Sequence, residues 1–153
     1  MSVLNEWIKQ TKFSSASQEA ILNIMLTSSL LRNRLNALCS EYDISLQQFN
    51  ILRILKGALP GGYPRCQISE RMVEKAPDTT RLIDRLVKTG LVKREKSEND
   101  MRQSIAKITE KGISLLGELS QKIDSFGSDL EAKVSIEVCK NISYNCNKML
   151  EKL

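Results

Sequence analysis

Cationic side chains recur at helical spacing in the first part of residues 77–109. Arg81, Arg85 and Lys88 stand at positions i, i+4 and i+7, which places them on one face of a helix. Like charges at i and i+4 destabilise an isolated helix by roughly 0.2–0.5 kcal/mol, whereas a phosphate or guanine partner would reverse that sign. The spacing therefore indicates a surface that binds a polyanion. A solvated helix face is the alternative for each residue taken alone.

The start of this helix adds polar groups. Asp78 can accept hydrogen bonds from the free N–H groups of the first turn. The hydroxyls of Thr79 and Thr80 are expected to face whatever ligand the helix N-terminus points at. Asp84 precedes Lys88 by four residues and can pair with it, in which case Lys88 is satisfied within the chain.

A basic hairpin is predicted directly after the helix. Gly90 supplies a left-handed stop, and strands at Leu91–Glu95 and Ser104–Ile108 flank a polar loop, Lys96–Gln103. The cations suited to phosphate contacts in this part of the hairpin are Lys93, Arg94 and Lys96.

The loop also carries a more specific pair of residues. Arg102 can enter a minor groove, where narrow A·T-rich stretches concentrate negative potential. Asp100 could hold its guanidinium by a bidentate pair, and a surface ion pair of little energetic value is the alternative. A helix suited to the major groove, followed by a loop suited to the minor groove, is typical of proteins that recognise double-stranded DNA.

Composition agrees with this interpretation. The net charge is +5, and residues 65–112 hold twelve Lys/Arg against eight Asp/Glu, so most of the excess lies in the basic segment. Aromatic residues make up 5% of the chain, which argues against binding of single strands by base stacking. No stretch is typical of a secretion signal or a membrane span, so we expect a cytoplasmic protein with no membrane partner.

Cysteine usage argues against metal chemistry. The four cysteines form no CxxC motif and the chain has no histidine, so we expect no zinc site, no other cofactor and free thiols. Cys39 and Cys146 are expected to be buried structural thiols. Cys66, in a loop before a short helix, is the one hypothetical redox sensor.

Hydrophobic periodicity predicts the other elements. A first long helix runs from about Ser17 to Glu41. A second opens at Ser45, where Gln48 can complete a capping box, and Gly57 ends it. Leu59–Pro64 is predicted to be a loop.

A short helix is predicted at about Gln67–Lys75, with Ile68, Met72 and Val73 facing inward. The helix with the three cations follows, up to about Thr89. The remaining expectations are a helix from Thr109 to about Phe126, a break at Gly127-Ser128, and a last helix with an apolar stripe from Leu130 to Leu153.

The long helices at both ends exceed what one core can cover. Their most economical use is a subunit interface, since two recognition helices must reach successive major grooves about 34 Å apart. We therefore expect a homodimer on a palindromic site, with packing inside one chain as the alternative. The 153 residues are treated as one α+β, mostly α, domain. Its winged-helix lobe spans about 45–108, and the dimerisation helices about 1–42 and 109–153.

One stretch resembles the MarR family of winged helix-turn-helix regulators. It is TRLIDRLVKTGLVKR (80–94), followed by Asp100-x-Arg102, IAKIT (105–109) and Gly112. The resemblance implies a homodimer joined through its terminal helices, a recognition helix at Asp78–Thr89 and a wing whose Arg102 enters the minor groove. It also implies repression of nearby genes, often relieved by a small phenolic or other aromatic ligand.

Two further hypotheses stay open beside a DNA-binding transcriptional regulator. One is a winged-helix protein-interaction module without DNA binding, against which the intact set of Arg81, Arg85 and Arg102 argues. The other is a thiol-based redox-responsive regulator. An enzyme is not expected, because no nucleophile–base pair, metal spacing or Gly-rich phosphate loop occurs.

Overall fold

The chain is mostly helical, with a small antiparallel sheet packed against some of its helices. The structure, a computed structural model, describes residues 2–75, 77–96 and 103–153. In chain order these contain α1 (Val3–Ile8), α2 (Ala16–Ser40), α3 (Leu46–Gly57), β1 (Tyr63–Pro64), α4 (Arg65–Arg71), α5 (Thr79–Lys88), β2 (Val92–Lys96), β3 (Ser104–Ile108), α6 (Glu110–Val134) and α7 (Ile136–Leu150).

Helix α3 lies at the centre of the core. It packs against α2, α4, α5, α6 and β3, and its apolar side chains Phe49, Ile51, Leu52 and Leu55 are buried. The predicted capping box is confirmed: the Ser45 hydroxyl accepts from the Gln48 N–H at 3.2 Å, and the Gln48 side chain accepts from the Ser45 N–H at 3.0 Å. The sequence therefore fixes where the central helix begins.

The sheet is antiparallel, in the order β1-β3-β2. Strands β2 and β3 form the predicted hairpin, with Val92 opposite Ile108 and Lys96 opposite Ser104. Val92, Ala106 and Ile108 bury one face of it in the core. The tip of the predicted loop, residues 97–102, lies outside the described residues.

The prediction that Leu59–Pro64 is entirely loop is wrong, because its last two residues form β1 against β3. Gly62 makes the approach possible. Its φ is +79°, and a Cβ there would lie 2.4 Å from the Ala106 carbonyl oxygen. Only glycine lets the backbone lie this close to β3 in that conformation.

Helix α4 is shifted from its predicted range of Gln67–Lys75. It begins directly after β1 at Arg65 and ends at Arg71, since Met72 is extended with ψ 135°. Ile68 and Met72 are buried as predicted. Val73 is 89% exposed, so its inward placement was wrong. The extended backbone at Met72 breaks the helical periodicity from which that placement followed.

The predicted break at Gly127-Ser128 is also wrong. Helix α6 continues to Val134, and the chain turns at Ser135, whose φ is 82° and whose side chain accepts from the Val138 N–H. A glycine inside a helix costs about 1 kcal/mol relative to alanine, which a 25-residue helix tolerates. Leu130 therefore belongs to α6.

Helix α1 was not predicted. It has six residues, and Ser2 and Asn5 close a capping box at its start. Leu4 is its one buried residue. A helix of this length is too short to show a period of 3.6.

Gly112 lets the first turn of α6 pack closely against Leu91 and Ile108 at the base of the hairpin. An added Cβ would lie 2.3 Å from the Leu91 carbonyl oxygen and 2.7 Å from Ile108 Cγ1. We expect Gly112→Ala to lower the free energy of unfolding by about 1–3 kcal/mol, as overpacking does, measured by urea denaturation.

The matched control is Gly117→Ala in the same helix, where an added Cβ meets nothing within 4 Å. It should stabilise the protein by up to about 1 kcal/mol through helix propensity. Equal effects of the two substitutions would show that the backbone of Leu91 does not approach α6 this closely.

Candidate nucleic-acid interface

Helix α5 presents a charged face because its opposite face is buried. Ile83 and Leu86 are at most 1% exposed, and Leu82 and Val87 pack at the edge of the core. On the other side Arg81, Arg85 and Lys88 are exposed, as the sequence predicts. Arg85 and Lys88 form no ion pair with any described residue. Their charge is therefore available to an anionic ligand.

The start of α5 is capped as predicted. The Asp78 side chain accepts from the Arg81 N–H at 3.0 Å, and Arg81 Nε lies 2.8 Å from Asp78 Oδ2. The Arg81 side chain is 81% exposed, so this pair is worth little and leaves the guanidinium able to reach a partner.

The two threonines of the first turn differ. Thr80 is exposed. Thr79 is 3% exposed, and its hydroxyl lies 3.5 Å from that of Ser69 on α4. The expectation that the Thr79 hydroxyl faces a ligand is therefore corrected, because packing of α5 against α4 turns this side chain inward.

An ion pair joins α5 to the hairpin. Arg94 Nη2 lies 2.8 Å from Asp84 Oδ1. The expected pair of Asp84 with Lys88 is not formed in the structure, which leaves Lys88 without an internal partner among the described residues. Arg94 lies on β2, and the spacing of residues along α5 cannot show which strand residue will lie beside Asp84. The sequence therefore did not predict Arg94 as the partner of Asp84.

Glu95 forms ion pairs with two lysines of the hairpin. Its carboxylate lies 2.6 Å from Lys107 Nζ and 2.8 Å from Lys93 Nζ. The hydrogen bond from Lys107 has the largest effect and that from Lys93 the next largest. Together they lower the pKa of Glu95 from 4.5 to about 2. The stabilisation is present above pH 4.5 and lost as the pH falls through the folded-state pKa of about 2. Lys93 is thus partly neutralised, while the Lys96 side chain is exposed.

Asp100 and Arg102 lie outside the described residues, so their expected roles at the hairpin tip stay predictions. The strands that lead to them are described. Strand β2 ends at Lys96 and β3 begins at Ser104, and both residues lie between these two positions in the sequence.

The cysteines are free in the structure. Cys39 is fully buried, which confirms its expected burial, and burial raises the pKa of its thiol to about 11. The expected burial of Cys146 is wrong for the single chain, because the thiol is only partly buried on α7, where no residue is buried. Cys66 is exposed. Within the described ranges, no three His, Cys, Asp or Glu residues form a group that could hold a metal ion, and no helix is long and apolar enough to cross a membrane.

A second feature was missed by sequence reasoning. A cavity of about 540 Å³ lies between α2, α3, α6 and the segment after α4. Arg32 of α2 forms an ion pair with Glu74 at its edge, and the Arg53 guanidinium lies 6.0 Å from the centre of the Phe49 ring. Its lining comes from four separate parts of the chain, so no local motif signals it.

Comparison with known proteins agrees with this geometry. The sequence profile of the MarR family matches residues 44–104. The chain is 33% identical over 98 residues to the HTH-type transcriptional regulator YfiV of Bacillus subtilis (strain 168), a match that covers 64% of this chain and 57% of YfiV. It is 30% identical over 110 residues to the HTH-type transcriptional regulator FarR of Neisseria gonorrhoeae, covering 71% of this chain and 74% of FarR.

The architecture also matches a solved structure. A MarR-like transcription regulator from Bacillus cereus ATCC 10987 superposes with a TM-score of 0.78 at 25% identity, over 90% of this chain and 97% of that one. The predicted fold, a mostly α winged helix-turn-helix, is confirmed by this match and by the small antiparallel sheet.

The thiols should differ in reactivity as they differ in burial. In the native protein near pH 8, we expect iodoacetamide to modify Cys66 first and Cys39 only after unfolding, since the thiolate is the reactive species. Mass spectrometry of the digested protein locates the labels. Cys66→Ser is the control and should lose the earliest label. Early labelling of Cys39 would contradict its burial.

Proposed function

The chain belongs to the MarR family of transcriptional regulators, and we propose that it acts as a homodimer that binds double-stranded DNA sequence-specifically. In this proposal it is a repressor that a small ligand releases from a palindromic operator. The observation that carries the proposal is the exposed cationic face of α5 beside a basic hairpin.

The proposed contacts divide between the two grooves. Helix α5 enters the major groove, where an arginine can bind the O6 and N7 atoms of guanine. The hairpin lies on the neighbouring minor groove, with Arg102 inserted and Asp100 orienting it, as in the family. The Asp84–Arg94 pair supports this division because it joins the two elements at 2.8 Å. The proposed set is Asp78, Thr80, Arg81, Arg85, Lys88, Arg94, Lys96, Asp100 and Arg102.

Dimerisation is supported by an apolar surface that the single chain leaves open. No residue of α7 is buried, although the helix carries exposed apolar side chains. The terminal apolar surface comprises Val3, Trp7, Ile21, Met25, Leu130, Val134, Ile136, Val138, Ile142 and Leu150, each at least 37% exposed. Exposed apolar side chains that form a contiguous patch mark interaction sites, and a second copy covering them would supply the second recognition helix.

Release by a ligand is supported by the cavity beside α3. Its volume of about 540 Å³ lies within the range of small-molecule sites, about 300–1,000 Å³. Phe49, Leu35 and Ile123 give it apolar walls, and Arg53 adds a cation. An aromatic or phenolic molecule has the matching combination of an apolar ring and a polar substituent.

The DNA proposal is tested at Arg85. Arg85→Ala should weaken binding to the duplex that the protein enriches from a randomised pool by about 1–3 kcal/mol, because a bidentate contact to a base edge is lost. It should also relax the preference at one base pair, which a repeated selection measures.

The control is Arg34→Ala, which removes an exposed cation from α2 that makes no ion pair with a described residue. It should leave the enriched sequence unchanged. A uniform loss over all sequences would make Arg85 a phosphate contact. If the unmodified protein enriches no duplex, DNA binding is contradicted and a protein-interaction module is the remaining hypothesis.

Dimerisation is tested on α7. Ile142 is 57% exposed, so Ile142→Asp should leave the helical circular dichroism unchanged while it shifts sedimentation at micromolar concentration toward the monomer. Its exposed neighbour Asn141 provides the control, since Asn141→Asp adds the same charge outside the terminal apolar surface. A monomeric unmodified protein would contradict the dimer.

A further inference from the structure

A cleft of about 330 Å³ lies where α4, α5 and the hairpin meet. Two arginines contribute to its wall, Arg65 from α4 and Arg94 from β2. The polar side chains beside them are Cys66, Thr80, Gln103 and Ser104. Among the described residues that line the cleft, none is acidic. The cleft therefore combines positive charge with hydroxyl and amide donors.

The two arginines are not equivalent. Arg94 forms an ion pair with Asp84 at 2.8 Å, which compensates part of its charge. Arg65 is exposed and forms no ion pair with any residue that the structure describes. Within the cleft, Arg65 thus supplies the positive charge that an incoming anion can neutralise.

The position of the cleft suggests which anion it receives. A sugar-phosphate strand separates each major groove from the neighbouring minor groove. If α5 enters one groove and the hairpin lies on the next, that strand must pass between them. The cleft lies at this position, with Thr80 of α5 on one side and Ser104 of the hairpin on the other.

We propose that this cleft seats a phosphodiester of the DNA strand that runs between the two grooves, and that Arg65 binds its phosphate. The inference rests on the proposed DNA binding and adds a contact outside the recognition helix and the wing. The Arg65 guanidinium and the hydroxyls of Thr80 and Ser104, which line the same cleft, are a suitable donor set for a phosphate. Such a contact fixes the register of α5 on the duplex and carries no base specificity.

The exposed thiol of Cys66 lines the cleft, so that a reagent can change the charge there in the folded protein. Sulfonatoethyl methanethiosulfonate forms a mixed disulfide with the thiol, releases methanesulfinate and leaves a fixed negative charge. Trimethylammonioethyl methanethiosulfonate leaves a fixed positive charge on an adduct of similar size. Affinity is measured by fluorescence anisotropy on the duplex that the protein enriches from a randomised pool.

We expect the anionic adduct to weaken binding by about tenfold or more and the cationic adduct to weaken it far less, because only the former repels a phosphate. Cys66→Ser is the matched control, because it keeps the other three cysteines and lacks only the thiol in the cleft. Both effects should be absent in it. Equal losses with both reagents, or no loss with either, would overturn the proposal. In the former case size rather than charge would be responsible.

A substitution tests Arg65 directly. Arg65→Ala should weaken binding about tenfold for every sequence alike and reduce the slope of log K against log salt by about 0.9, the value for one neutralised phosphate. Lys12→Ala removes an exposed charge from the segment before α2 and should leave the slope unchanged. An unchanged slope in Arg65→Ala would overturn the contact.

Two further outcomes separate this inference from others. If inorganic phosphate alone slows the modification of Cys66 as strongly as the duplex does, the cleft is a site for a free anion and the proposal fails. If the unmodified protein binds the enriched duplex while Arg65 and Cys66 have no influence, the cleft proposal fails and the proposed function stands. If no duplex is bound at all, both fail.

Discussion

Burial of one face of α5 is the constraint on which the cationic surface depends. Ile83 and Leu86 are at most 1% exposed, and rotation of the helix would bring them into water at a cost of about 1.5–3 kcal/mol each. The exposed direction of Arg85 therefore follows from packing against α3. The hairpin is held by the same core through Val92 and Ile108, so that the orientation of both elements is fixed without any partner.

The sequence predicted those elements whose signals are local. Ser45 and Gln48 marked the start of α3, and Asp78 that of α5, because a capping side chain must lie beside the N–H groups that it binds. The errors arose where tertiary contacts decide the backbone. Strand β1 exists because Gly62 permits contact with β3, and α6 continues through Gly127 because its helical neighbours outweigh the cost of one glycine.

The candidate site divides in the same way. The exposed positions of Arg81, Arg85 and Lys88 follow from a period of 3.6, which the sequence displays. The ion pair of Asp84 with Arg94, the inward turn of Thr79 and the position of Arg65 depend on how α4, α5 and β2 pack. Residues that contact each other across elements have no fixed spacing along the chain. For this reason, no sequence motif predicts the cleft or the cavity beside α3.

Ion pairs at the margins of the core connect the terminal helices to each other and to the segment before α5. Lys122 of α6 binds Glu41 at the end of α2, at 2.5 Å, and Arg32 of α2 binds Glu74. Glu74 precedes the cap of α5, Asp78, by four residues, and it lines the same cavity as Arg32. In the proposed dimer, a ligand that competes for Arg32 would therefore act on Glu74, four residues before the cap of α5. The position of α5 relative to the second copy decides whether two successive grooves are reached. Under the proposed function, only a displacement that also moves α5 would lower the affinity for an operator.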